Sequence, residues 1–312
     1  MNLKKYLLLS LLLTTLGKTG LAQPGYRVFD FIDPSLKAFS VSGQVGITSY
    51  YGDLCATNDC YTKNKFSTGI GATLRLNDYF FFNFNAIYYR IEGSDAESGN
   101  IGRIRRNLSF RADNYEFSVL GNFEFLNYNS FRYLTRKEFP LSLFAFLGLG
   151  LTTNSPQALY NNEYQPLRPL ETEGKSYSPV TAVVPLGLGV GYRFNEFFSS
   201  SFSIGYRYSF TDYLDDVSTV YAEGFEPGLA QELQYRGDEI PKDLQRFYGP
   251  GSKRGNPESK DGYMLMSLRL DYKIPNINLN FIGSRKFGGS DGGPKGGGAQ
   301  PTRKAARRRN NK

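Results

Sequence analysis

The chain has 312 residues, with 25 Phe, 23 Tyr and 34 Gly but neither Trp nor His. A chain without His has no serine–histidine triad, no imidazole proton shuttle and none of the commonest zinc sites, so catalysis is disfavoured from the outset. The formal charge of +8 is local: nine Lys or Arg and one Asp fall in 285–312, while 23–284 carries 25 basic against 28 acidic residues.

The chain opens "MNLKKYLLLSLLLTTLGKTGLAQ", with Lys4 and Lys5, an apolar run from Tyr6 to Leu13, and small residues at Gly20 and Ala22. That order predicts a secretory signal peptide over 1–22, cleaved between Ala22 and Gln23. The apolar run falls short of the roughly 20 residues a membrane helix needs. Export excludes nucleic acid as a partner. Residues 23–37 form a short segment before the first regular element.

From residue 38 the pattern has period two, the signature of strands with one apolar face. In "AFSVSGQVGITSYY", Phe39, Val41, Val45 and Ile47 alternate with Ser40, Ser42, Gln44 and Thr48. "KFSTGIGATLRLN" sets Phe66, Ile70, Ala72, Leu74 and Leu76 against Lys65, Ser67, Gly69, Thr73 and Arg75. "DYFFFNFNAIYYRI" follows, with Phe80, Phe82, Phe84, Ala86 and Tyr88 on one face and aromatic residues on part of the other. The fourth strand presents Tyr115, Phe117, Val119, Phe123 and Phe125, and the fifth presents Leu141, Leu143, Ala145, Leu147, Leu149 and Leu151. The sixth carries Ala182, Val184, Leu186, Leu188, Val190, Tyr192 and Phe194. The seventh has Phe202, Ile204, Tyr206, Tyr208 and Phe210. The eighth, "GYMLMSLRLDYKI", has Met264, Met266, Leu268, Leu270, Tyr272 and Ile274.

Eight strands of about 10–14 residues exceed the usual five or six of soluble sheets and suit a tilted bilayer-spanning strand. Connections alternate in length. Tight turns at 76–78 and 195–196 contrast with long segments at 51–64, 92–112, 154–179 and 211–261. The prediction is an all-β chain: an eight-stranded antiparallel transmembrane β-barrel over 38–275, with long extracellular loops and both termini periplasmic. Tyr88–Tyr89 and Tyr206 to Phe210 read as aromatic girdles. "NYNSFRYLTRKEF" (127–139) is longer than a periplasmic turn and reads as a partner-binding segment. Residues 276–312 are Gly-rich, then basic, and predict a disordered periplasmic tail. Arg303, Lys304, Arg307, Arg308 and Arg309 are its candidate contacts for an acidic partner.

No catalytic or cofactor-binding residue is expected. Cys55 and Cys60 lie in the first long connection, where an exported chain closes a loop disulfide or bonds a partner. In "SFTDYLDDVSTVY", Asp212, Asp215 and Asp216 read first as loop-shaping residues, through hydrogen bonds or a helix cap at Thr211 or Asp212. They are weak candidates for a hard cation, and no metal site is assigned. On the lumen face, Arg75, Arg193, Arg207, Arg269 and Lys273 stand with Glu116, Glu124 and Asp271.

Three segments carry a resemblance: "YYGDL" (50–54), "RRNLSFRADNYEFS" (105–118) and "FTDYLDDVS" (210–218). Over roughly 38–275 the chain resembles the PorG-like outer-membrane barrels of the type IX secretion system and gliding machinery. The resemblance implies an accessory, non-enzymatic barrel in contact with outer-membrane lipids. It also implies periplasmic docking to a ring-forming lipoprotein and its partner. The alternatives are a small passive pore, a solute-binding barrel, or a lipid-modifying enzyme, the last disfavoured by the missing His.

Overall fold

The computed structural model describes residues 38–55, 64–126, 140–224 and 228–275. Eight strands form the wall: β1 (Ala38–Tyr51), β2 (Lys65–Arg75), β3 (Phe80–Ser94), β4 (Ser109–Leu126), β5 (Leu141–Thr153), β8 (Val180–Arg193), β9 (Phe198–Ser209) and β10 (Gly262–Lys273). Between β5 and β8 a hairpin is built from β6 (Pro156–Tyr160) and β7 (Glu163–Pro166). Two short helices, α1 (Ile101–Arg106) and α2 (Leu229–Gln234), lie in the long connections.

The sheet closes on itself. Its order runs β3-β2-β1-β10-β9-β8-β5-β4, and β3 pairs back onto β4 from Phe80↔Phe123 to Ser94↔Ser109. All neighbours are antiparallel. The seam joins the first and last strands, from Ser40↔Lys273 to Tyr51↔Gly262. Closure leaves no free edge, which a strand structure in lipid requires. No described helix is long and apolar enough to cross a membrane.

The alternation puts the apolar residues outside. Leu149 is 71% exposed, Ile70 70% and Phe117 64%, and Leu147, Leu188 and Leu268 lie on the same outward faces. Such a belt is untenable in water but is the lipid-facing band of a barrel. Aromatic residues edge it. Phe80, Phe123, Tyr192, Phe194, Phe198 and Tyr272 mark the end with the short turns, and Tyr115, Tyr208 and Phe210 the end with the loops. Tyr89 departs from the expected girdle. Its side chain points inward and is fully buried, stacked on Tyr263 at 4.4 Å, because the pleat alternates and Tyr88 takes the outer position.

Both short turns use one device. Asn77 Oδ1 accepts from the backbone N–H of Tyr79 and Phe80, and Asn195 Oδ1 does the same for Phe197 and Phe198. The side-chain carbonyl stands in for a backbone acceptor and tightens the reversal. At the other end the β6–β7 hairpin turns at Asn161 (φ 49°) and Asn162 (φ 66°), the left-handed pair that a two-residue hairpin loop needs. β6 continues the top of β4 through Arg111↔Gln157 and Ala112↔Pro156.

The lumen is filled. Near the turn end, Arg75 pairs with Glu124 at 2.8 Å. Arg269 donates to Asn85, Thr73 and Asp271 at 2.8–3.1 Å. Farther along, Glu116 accepts from Tyr263 Oη at 2.7 Å and Arg207 Nε at 3.4 Å, and Tyr89 meets Thr152 at 2.7 Å.

Part of the filling is apolar, which the expectation of a polar lumen missed. Phe81, Leu120, Phe144 and Phe146 form a buried cluster inside the wall. The neighbouring strand makes room with glycine: a Cβ on Gly187 would stand 2.5 Å from the Phe146 ring, and one on Gly189 would strike Phe144. Pro185 sits between them and the loops, and the β5–β8 register is interrupted from Leu147↔Leu186 to Gly150↔Val183. Proline has no N–H to give that ladder.

Candidate functional site

The long connections pack into a dome over one end of the barrel. Its core joins Tyr50, Leu54, Ile91, Leu108, Phe110, Leu167, Leu214, Val217 and Leu233 in one buried cluster, drawn from strand tips and all the long loops. Apolar burial holds these segments together, and ion pairs fix their relative positions.

The aspartates of 210–218 lie inside this dome. No helix follows Thr211 or Asp212, so the helix-cap expectation is corrected; Thr211 Oγ1 instead accepts from Tyr213 N in a local turn. Asp215 accepts from Tyr50 Oη at 2.6 Å, Leu54 N at 3.2 Å and Val217 N at 2.9 Å. Asp216 accepts from Tyr177 Oη at 2.7 Å and faces Arg254 at 3.5 Å. Asp212 accepts from Ser218 Oγ at 2.7 Å. The three carboxylates take different partners rather than facing a common point. Among the described residues no group of three or more His, Cys, Asp or Glu is arranged to hold a metal ion.

Burial sets their protonation. It pushes the Asp212 carboxyl up to about 7, with Ser218 opposing and Asp53 adding to the rise. It also raises Asp215 well above the usual carboxylate range, assisted by Asp53, and does the same to Asp261, assisted by Asp215. Asp216 is raised by burial against the pull of Arg254.

Several residues at the centre of the dome carried no local signal. Glu173 accepts from Ser218 N, Thr219 N and Thr219 Oγ1 at 2.7–2.9 Å and from Arg254 at 3.0 Å, tying the β7–β8 connection to the last loop. Arg106 forks onto Asp95 at 2.6 and 2.8 Å and donates to the Asp53 carbonyl at 3.0 Å. The three segments that carried the resemblance therefore meet here: Tyr50 and Asp53 from the first, Arg106 from the second, Asp215 from the third.

Beside the dome is a cavity of about 770 Å³. Its lining includes the cations Arg103, Arg106, Lys253, Arg254 and Lys260, with Asp53 as the one carboxylate among the described residues that line it. A second space, about 450 Å³, opens at the turn end and is lined by Ser40, Ser142, Ser199–201, Arg75, Arg193, Arg269 and Lys273 with Glu124 and Asp271.

The family model described as Domain of unknown function (DUF6089) matches residues 34–226. The chain belongs to that family. The match runs from the start of the barrel through β9 into the last loop. None of the curated proteins compared matches the chain significantly. Among solved structures, the chain is similar to Neisserial surface protein A, at 12% identity and TM-score 0.38, over 76% of this chain and 97% of that one. It is similar to Ail, the attachment invasion locus protein of Yersinia pestis, at 10% identity and TM-score 0.36, over 76% and 99%. It is also similar to a major outer membrane protein from Thermus thermophilus, at 11% identity and TM-score 0.37, over 76% and 100%. The chain is an eight-stranded, closed antiparallel β-barrel.

One expectation is corrected: the family matched is described as a domain of unknown function, so the type IX secretion and gliding assignment, with its ring lipoprotein and partner, finds no support in it. The resembling segments are used in contacts within this chain, Tyr50 with Asp215 and Arg106 with the Asp53 carbonyl. Cys55 is disulfide-bonded, and Cys60, the partner the sequence offers it, lies outside the described residues. The signal segment 1–22, segment 23–37, the 127–139 connection and the tail with Arg303, Lys304, Arg307, Arg308 and Arg309 also lie outside them.

Proposed function

We propose that this chain is a non-enzymatic, non-conducting outer-membrane barrel that works by binding at its ends. The observation that carries this reading is the filled lumen. Glu116, Arg207 and Tyr263 lock one level, Phe144 and Phe146 fill another, and Arg269 with Asn85, Thr73 and Asp271 occupies a third. Eight strands leave an interior just wide enough for side chains, and here the side chains take it. A passive pore is disfavoured. A solute-binding barrel is favoured, because polar cavities open at both ends while the centre is closed.

The long loops face outward from the cell and both termini face the periplasm, a reading supported by the alternation of loop lengths. In that orientation the export signal has been removed. The tail then extends on the periplasmic side, where its charge of +8 over 285–312 suits an acidic partner.

Single-channel recording of purified full-length protein in planar bilayers tests the central point. The expected trace is flat at every applied voltage. Stepwise currents that scale with protein added overturn the reading.

A further inference from the structure

The loop-end cavity has features that the dome's own stability does not use. Arg106 and Arg254 are committed to carboxylates, Arg106 to Asp95 and Arg254 to Glu173 and Asp216. Arg103, Lys253 and Lys260 are not among the ion pairs of the described residues, so the described lining holds more positive charge than Asp53 balances.

The cations left over call for a partner that carries negative charge. Guanidinium and ammonium groups only donate, so the occupant that this lining suits is an anion.

The walls also offer aromatic faces. Tyr221 and Tyr248 lie parallel with centroids 6.0 Å apart, and Tyr51 meets Tyr206 edge-on at 5.9 Å. Tyr206 belongs to the outward row of β9, with Phe202 and Ile204, so the cavity adjoins the rim of the apolar belt. That is the level where polar groups of the outer leaflet stand.

We infer that this cavity binds a phosphorylated sugar, with Arg103, Lys253 and Lys260 taking the phosphate and the tyrosine rings packing on the sugar. The inference rests on the end-binding reading above and gives that reading a ligand class. Two sources share the chemistry: the headgroup of an outer-leaflet glycolipid, and a soluble phosphosugar.

The test uses full-length protein in detergent micelles and native mass spectrometry. Three probes are compared: a bisphosphorylated glucosamine disaccharide lipid, the same lipid stripped of phosphate, and free glucosamine 6-phosphate. Retention of the phosphorylated lipid with at least tenfold loss for the dephosphorylated form supports the inference with a lipid source. Equal or better retention of glucosamine 6-phosphate supports it with a soluble source. Retention of neither, or equal retention of both lipids, overturns it. Lys253→Ala with Arg103→Ala should reduce binding at least tenfold while heat-modifiable mobility, the sign of a closed barrel, is unchanged. Undiminished binding in that variant also overturns the inference. Planar-bilayer currents bear on the closed lumen alone, so failure of that reading is separable from failure of this one.

Discussion

The Tyr50 hydroxyl lies 2.6 Å from Asp215 and 2.9 Å from Asp261, at the junction of the barrel wall and the dome. A phenol has one hydrogen to give. Both contacts are satisfied together only when one of the two carboxyls is itself protonated and donates back. Burial favours that proton, raising both acids well above the usual carboxylate range.

Tyr50→Phe removes the bridging oxygen and leaves two buried carboxyls facing a hydrocarbon ring. The dome should lose about 1–3 kcal/mol, the usual consequence of stranding buried polar groups. Limited proteolysis of the loops in micelles measures it: cleavage within 210–261 should accelerate while the strands stay protected. Unchanged loop protection would remove Tyr50 from its bridging role.

Asp212 makes the dome sensitive to pH. Its folded carboxyl is raised to about 7, above the unfolded value near 4, so the folded state holds more protons between those limits. Stability from this group is complete below about pH 4 and is lost as pH rises towards 7. Loop protection should therefore improve on acidification from pH 7.5 to 5.5, and Asp212→Asn should flatten that dependence. A parent profile that weakens towards pH 5.5, or one that Asp212→Asn leaves unaltered, contradicts the assignment.

Within the wall, Glu116→Ala strands the Arg207 guanidinium, whose side chain is 3% exposed. Breaking a buried pair on one side costs about 3–5 kcal/mol, so the variant should unfold at clearly lower urea in lipid vesicles. Glu116→Gln keeps an acceptor for Tyr263 and should lose less. Parity between the alanine variant and the parent would show that this pair does not hold the lumen.

The glycine seats make a size-matching prediction. Gly189→Ala should destabilise the barrel by about 1–3 kcal/mol through overpacking against Phe144. Adding Phe144→Leu should relieve part of that cost. Strictly additive urea midpoints would mean the ring and the glycine are not packed as a pair.

The wall was readable from the sequence because barrel strands obey a strict local rule. Val41, Ile70, Phe117, Leu149, Leu188 and Leu268 all take the outward positions that alternation assigns. The polar lumen residues Arg75, Glu124, Arg207 and Arg269 were readable for the same reason. Phe144 and Phe146 were not, because their inward placement depends on glycines of the next strand in space. The β6–β7 hairpin left a signal in Asn161–Asn162 that the length of the connection concealed. The dome was legible only in part. Asp212, Asp215 and Asp216 stand out in one stretch, but Glu173, Arg254 and Asp261 join them from distant segments, and burial rather than spacing determines their state.

The seam between β1 and β10 has a consequence for the order of assembly. Asp261 immediately precedes β10, and Tyr50 is the penultimate residue of β1, so pairing Tyr51↔Gly262 also brings the Tyr50 hydroxyl to Asp261. Closing the cylinder and setting the lid are therefore a single event, and neither can happen before the final strand arrives. Without that pairing β1 and β9 each carry a bare edge, and Tyr50 and Asp261 have nothing in the wall to bring them together.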